Sequence, residues 1–327
     1  MSNREHLFNV YAPAEEKFVR GEGVYLYTDT GARYLDFIAG IAVNALGHAH
    51  PKMIEALTEQ AKKLWHLSNM FDIEGQEELS ERYCARTFAD VAFFTNSGTE
   101  AIECALKLTR KYHAMNGHPE KIDIIGFSGS FHGRSYAAVN SSGNASYLEG
   151  FGPRLPGYVQ CEYGDWEKLK SLVGPNTAGV LIEPVQGEGG FIPVPPRFLQ
   201  RIRELCTQHG IVMVADEIQA GFGRTGQLFA VDFDKECQRC VLVLPVGCGL
   251  ELLQQPSPQV LLPWPWHKPR RLKPQLGKHR PPAKQQLPNL QLPPMAKGHQ
   301  PRTLSKLKWP NSHSKPVEST KTHSDKW

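Results

Sequence analysis

Apolar positions in the first 235 residues follow two rhythms. Short, nearly continuous runs end abruptly at polar residues: Val91-Ala-Phe-Phe94, Ile122-Asp-Ile-Ile-Gly-Phe127, Ala178-Gly-Val-Leu-Ile182 and Val212-Met-Val-Ala215. Such runs predict strands buried on both faces. Between them apolar residues recur at helical spacing. Met53, Ile54, Leu57, Ala61 and Leu64 follow Pro51, and a second helix is expected over 74–86. Ala101, Ile102, Ala105, Leu106 and Tyr112 mark a helix from 100 to about 115; Phe198, Leu199, Ile202, Leu205 and Cys206 mark one over 198–209, ended by Gly210 as its C′ residue. Ahead of these, 24–27 and 33–37 around Asp29-Thr-Gly31 read as a hairpin, with a loop over 40–50. The alternation predicts an α/β fold, a mainly parallel sheet with helices on both faces.

Charge divides the chain. Residues 1–240 hold 23 Lys+Arg and 30 Asp+Glu, whereas 241–327 hold 14 and 3, with 15 of the 25 prolines. The second part is basic, proline-rich and almost without periodicity, as disordered segments are, apart from a short strand expected at Val241-Leu-Val-Leu244. The expected organisation is an N-terminal segment with a hairpin (1–50), a large domain (51–235) and a tail (236–327). Seven scattered cysteines suit reduced thiols, and Cys237-Gln-Arg-Cys240 lacks the second pair a zinc site needs, so no metal is expected. The opening residues carry no signal-like apolar stretch, and no run reaches the roughly 20 apolar residues of a membrane span. A soluble cytoplasmic protein is expected, with neither membrane nor nucleic acid as partner.

The chemistry gathers at strand ends, where open α/β sheets bind ligands. Asp216 closes the 212–215 run; a carboxylate buried there needs a positive partner, although a solvated loop Asp has the same sequence signature. Asn96-Ser97-Gly98-Thr99 precedes a helix, so its free N–H groups suit a phosphate, or Ser97 is a plain N-cap. Phe131-His-Gly-Arg134 offers an aromatic face and a guanidinium suited to a carboxylate. Glu188, among glycines, could face a cation or water. Gly221-Phe-Gly-Arg-Thr-Gly226 matches a dinucleotide fingerprint, but no amphipathic helix follows and that reading is rejected. A phosphate cradle, a ring to stack on and a carboxylate awaiting a cation together suit pyridoxal 5′-phosphate (PLP).

Tyr34-Leu-Asp-Phe, Gly40-Ile-Ala-Val, Gly47-His-Ala-His-Pro, Asn96-Ser-Gly-Thr-Glu, Phe131-His-Gly-Arg, Glu183-Pro-Val-Gln-Gly-Glu-Gly-Gly and Asp216-Glu-Ile-Gln occur in that order. In these stretches residues 1 to about 235 resemble the class III (ω-amino acid) aminotransferases, and the Gly40-Ile-Ala-Val wording leans towards the acetylornithine branch. The resemblance implies PLP-dependent transferase fold type I and a homodimer with sites at the subunit interface. The implied reaction moves an amino group from N-acetylornithine to 2-oxoglutarate, in arginine biosynthesis. It further implies that Ser97, Gly98 and Thr99 hold the phosphate, Phe131 stacks on the pyridine and Asp216 pairs with its nitrogen. Glu217 and Ile218 flank that Asp, and Gln219 bonds the phenolic oxygen. Arg134 holds the substrate carboxylate, and Glu188 pairs with a gate arginine. Ornithine, succinylornithine and 4-aminobutyrate enzymes share these motifs.

The family's Schiff-base lysine has no counterpart, since no Lys occurs between Lys235 and Lys268. The family's small C-terminal domain also has none, and 236–327 read as a frameshifted or otherwise unrelated tail. The expectation is therefore an inactive transaminase. The alternatives are a cofactor-binding pseudoenzyme that dimerises with an intact paralogue, or a decarboxylase or racemase variant of the fold.

Overall fold

The computed structural model describes residues 6–8, 10–11, 13–68, 70–231, 240–244 and 250–253. An antiparallel meander comes first: β1 (Phe18–Glu22), β2 (Tyr25–Thr28) and β3 (Arg33–Leu35). The expected hairpin is its second half; β1 was not expected. After helix α1 (Pro51–Lys63) and α2 (Gln76–Cys84), the chain enters the central sheet at β4 (Val91–Phe94). There follow α3 (Gly98–Met115), β5 (Asp123–Phe127), α4 (Tyr136–Ser142), β6 (Tyr158–Cys161), α5 (Trp166–Leu172) and β7 (Thr177–Ile182). A two-stranded hairpin, β8 (Val185–Gln186) and β9 (Ile192–Pro193), precedes α6 (Phe198–His209) and β10 (Val212–Asp216). Strands β11 (Cys240–Leu244) and β12 (Leu250–Leu253) complete the sheet.

The sheet has seven strands in the order β4-β12-β11-β10-β7-β5-β6. The pairs from β11 to β6 are parallel, whereas β12 runs antiparallel to both β11 and β4. Period-two alternation sorts the buried side chains onto its two faces. Ile125, Phe127, Met213 and Ala215 pack with Phe198, Ile202, Leu205 and Cys206 of α6. Ile124, Val212 and Val214 pack with Ala101, Ile102, Ala105 and Leu106 of α3. Helices therefore cover both faces, as the alternation predicts. Gly210 ends α6 in the left-handed region (φ 63°), the conformation expected of a C′ glycine.

Three differences from the sequence reading have physical causes. Helix α3 begins at Gly98, two residues early, because Ser97 caps it. Helix α1 has the expected period, yet it buries no residue: Leu57 is 72% exposed and Trp65, just beyond it, 87%. Among the described residues, nothing covers its apolar stripe. Finally, β12 falls inside the segment expected to be disordered and bonds to β4, more than 150 positions earlier in sequence (Leu250 opposite Phe94). The sheet thus extends past the boundary placed at 235, with the strand expected at 241–244 found as β11. Cys237, the first of the Cys237–Cys240 pair, and the tail beyond 253 lie outside the described residues. Turns and bends, rather than a helix, follow Gly221–Gly226 over the described residues. No described helix is long and apolar enough to cross a membrane.

Between β3 and α1, Ala39, Gly40, Ile41 and Ala42 form one left-handed turn (φ 48–66°). The three residues bearing a Cβ are strained there by about 1–2 kcal/mol each. Asp36 Oδ1 accepts the N–H groups of Ile38 (3.0 Å) and Ala39 (2.8 Å), which anchors its start. Gln219 Nε2 donates to Ile41 O (3.1 Å) and the Arg224 guanidinium to Ala42 O, tying the turn to the loop after β10.

Ile102 joins α3 to the sheet and is fully buried. Ile102→Ala is expected to lower unfolding stability by about 2–5 kcal/mol in urea titration. A loss below about 1 kcal/mol would contradict this packing.

Candidate active site

Parallel pairing places the carboxyl ends of β10, β7 and β5 side by side, with Ala215 opposite Ile182 and Ile125 opposite Val180. Asp216 ends β10, Glu183 follows β7, and the loop after β5 carries Phe131, His132 and Arg134. All three strand ends bring polar chemistry to one edge of the sheet.

Asp216 is buried and fully engaged: Oδ1 accepts the Ile218 N–H (3.1 Å), and Oδ2 lies 2.7 Å from His132 Nδ1. The sequence required something positive beside Asp216, and His132 answers that requirement. Burial pushes the His132 imidazole down, but the Asp216 hydrogen bond and the charges of Asp216 and Glu183 outweigh it and hold the ring above its ordinary value. Its Nε2 is buried without a hydrogen-bond partner. Glu183 accepts the Phe131 N–H (3.3 Å); burial, aided by the charge of Asp216, raises its carboxyl well above the usual range against the pull of His132. Neither His132 nor Glu183 was assigned a role from sequence. Both stand inside motifs quoted above, and the signal was the unmet charge on Asp216.

Glu217 is more deeply buried than Asp216. Its Oε1 accepts the Val231 N–H at 2.6 Å, closing the 218–230 loop, while Oε2 has no partner. Burial pushes this carboxyl up to about 7. Ile218 packs its side chain against the first residue of α3: a Cβ on Gly98 would lie 3.1 Å from it. Gln219 points to Ile41 O, as described above.

Ser97 takes the N-cap role that the sequence allowed it. Ser97 Oγ accepts the Glu100 N–H (3.2 Å), and Glu100 reaches back to the Asn96 N–H (2.7 Å), a variant of the capping box. The N–H groups of Gly98 and Thr99 belong to the first helical turn, where no intrahelical carbonyl reaches them, so they remain suited to an anion. Thr99 lies against Gly133, where any Cβ would collide with its side chain and φ is +116°; only glycine fits. Residues 97–99, 131–134 and 216–218 thereby interlock.

At the outer rim, the Arg134 guanidinium lies 4.2 Å from the Tyr147 ring centroid and 5.6 Å from that of Phe131. Tyr147 meets Phe131 edge-on and donates its hydroxyl to Glu188 Oε1 at 2.9 Å. Burial and the Glu188 carboxylate both raise the phenol, which keeps it a donor. Tyr147 was missed from sequence; it sits in a single 3₁₀ turn, Ala145–Tyr147, with no motif around it.

The family model "Aminotransferase class-III" matches residues 10–239, and the chain belongs to that family. It is 56% identical over 249 residues to acetylornithine aminotransferase 2 of Caulobacter vibrioides, covering 76% of this chain and 62% of that one. It is 54% identical to the acetylornithine aminotransferase of Mesorhizobium japonicum, over 68% and 56% of the two chains. The N-acetylornithine aminotransferase structure from Stenotrophomonas maltophilia superposes with a TM-score of 0.63 at 37% identity, over 75% of this chain and 64% of that one. An ornithine aminotransferase structure from Toxoplasma gondii gives a TM-score of 0.73 at 31% identity, over 80% and 63%, and holds PLP in part at its active site. The chain spans about three-fifths of the length of the curated relatives it matches. The fold is that of the PLP-dependent aminotransferases, and the family's cofactor is PLP.

The observed geometry suits the two ends of that cofactor. Free N–H groups and a hydroxyl gather at a helix N-terminus behind close-packed glycines, and a buried carboxylate lies at the neighbouring strand end.

The raised Glu217 carboxyl has a stability consequence. Its folded value of about 7 exceeds the ordinary 4.5, so the folded state holds a proton that the unfolded state has released between these pH values. Stability falls as pH rises through that window, by up to about 3 kcal/mol from this group. Glu217→Gln should flatten the urea stability profile between pH 5 and pH 8, whereas an unchanged slope would contradict the assignment.

Proposed function

We propose that this chain carries the cofactor-binding part of an acetylornithine-type aminotransferase, acting between N-acetylornithine and 2-oxoglutarate in arginine biosynthesis. The observation that carries this reading is the buried Asp216, bonded to a positively biased His132 at the carboxyl edge of the sheet. Asp216, flanked by Glu217 and Ile218, holds a proton on the pyridine nitrogen, and His132 orients the carboxylate through their hydrogen bond. Ser97, Gly98 and Thr99 bind the phosphate through N–H and hydroxyl donors. Phe131 covers a ring face. Gln219 reaches the phenolic oxygen once released from Ile41. Arg134 takes the substrate carboxylate, and Glu188 stands at the rim on the Tyr147 hydroxyl. When bound, PLP supplies the electron sink for the substrate carbanion.

The family's cofactor-anchoring lysine lies about one strand connection beyond Asp216. That connection leads to β11, whose Val243 pairs with Asp216; its one lysine, Lys235, stands too close to Asp216 in sequence, and the next is Lys268. Without a side-chain base there, proton transfer loses a factor of about 10²–10⁴. This chain is therefore a weak or inactive transaminase that holds its cofactor non-covalently.

A second reading, a non-catalytic partner of an intact paralogue, is favoured by the unburied apolar face of α1 and its surroundings, including Phe37, Ile41, Leu57 and Trp65. The same face supports a homodimer under the first reading. A cytoplasmic location fits both.

Absorbance titration of the full chain with PLP is expected to show saturable binding that Asp216→Ala weakens by about tenfold or more. Borohydride reduction at stoichiometric cofactor, followed by peptide mapping, is expected to yield no pyridoxyl-lysine. Such an adduct would overturn the non-covalent assignment, and binding unaffected by Asp216→Ala would overturn the site itself.

A further inference from the structure

We propose that Tyr147 is a positioning residue of the carboxylate subsite, keeping Glu188 away from Arg134 so that the guanidinium stays available to an anionic substrate. The proposal rests on the reading of Arg134 as the carboxylate anchor. Its ring face holds the guanidinium at 4.2 Å, and its hydroxyl holds Glu188 at 2.9 Å. Two opposite charges are thus bound to separate parts of one neutral side chain.

Among the described residues, no carboxylate lies within ion-pair range of Arg134. A cation on a π face keeps its N–H fork free, whereas a cation in a bidentate carboxylate pair has spent it. Glu188 is the carboxylate placed to fill that fork. It lies in the exposed loop joining β8 to β9, between glycines 187 and 189, and the Tyr147 hydroxyl restrains it. Loss of the tether lets Glu188 compete with substrate for Arg134. An exposed pair of this kind is worth up to a factor of about five.

Glutarate, an unreactive dicarboxylate, is the probe, and its affinity for the PLP-saturated full chain is measured by calorimetry. Arg134→Gln is expected to weaken glutarate about tenfold or more. Tyr147→Leu should weaken it about fivefold, whereas the same substitution made in a Glu188→Gln background should cost less than about twofold. Tyr147→Phe keeps the ring and its packing; it should weaken binding about twofold, again relieved by Glu188→Gln.

A merely structural role for Tyr147 would give losses that Glu188→Gln does not relieve, and that result overturns the proposal. So does wild-type affinity in both Tyr147 variants while Arg134→Gln still abolishes binding. If glutarate fails to bind, or Arg134→Gln leaves its affinity unchanged, the carboxylate assignment of Arg134 falls, and the proposal with it.

Discussion

The hydrogen bond between Asp216 and His132 is the constraint on which the site depends. Both groups are buried, 84 positions apart in sequence, and joined at 2.7 Å. Glu183 is buried beside both and Glu217 beside Asp216, so this edge of the sheet gathers three buried carboxylates and one imidazole. Removing one partner of a buried pair leaves an uncompensated charge, at a cost of about 3–5 kcal/mol. The molecule limits that cost by raising Glu183 and Glu217 towards neutrality and giving Asp216 two hydrogen bonds. Of the three, Asp216 alone hydrogen-bonds the imidazole directly, and it is the group proposed to meet a protonated pyridine.

The surrounding fold fixes this pair in space. Two packed helical layers lock β5, β7 and β10 in register, which sets the separation of their carboxyl ends. The loops that emerge then hold one another: Ile218 against Gly98, Thr99 against Gly133, and the Phe131 N–H on Glu183. The left-handed turn Ala39–Ala42 joins from the N-terminal side through Gln219 and Arg224. Its backbone strain persists because hydrogen bonds from two directions over-determine it. A polar site is thus assembled from four segments distant in sequence, with little freedom left in any.

Much of this was legible in the sequence, for local reasons. Strand Val91–Phe94 and helix Phe198–His209 were read to the residue, because each has a clear period and a polar or glycine stop. Strand β6 and helix α5 were missed: β6 has only one fully buried residue, and α5 buries only Leu169. Strand β12 was missed because its partner β4 lies far back in the chain, and composition around it suggested disorder. For the site, Asp216, Gly98 and Phe131 stood out because each adjoins a recognisable strand end. His132 and Tyr147 did not, since their partners are tertiary contacts that no spacing reveals. The periodicity of α1 was plain, but it could not show that the described residues leave its apolar face uncovered.

The account is tested most directly by the protonation state of His132 in the full chain. Nitrogen-15 NMR titration, with the His132 signal assigned by its loss in His132→Gln, follows that imidazole directly. It should titrate above the ordinary histidine value, and Asp216→Asn should lower its titration point, because the hydrogen bond and the charge of that buried partner are what raise it against burial. An imidazole that titrates at or below its ordinary value, unmoved by Asp216→Asn, would contradict the account.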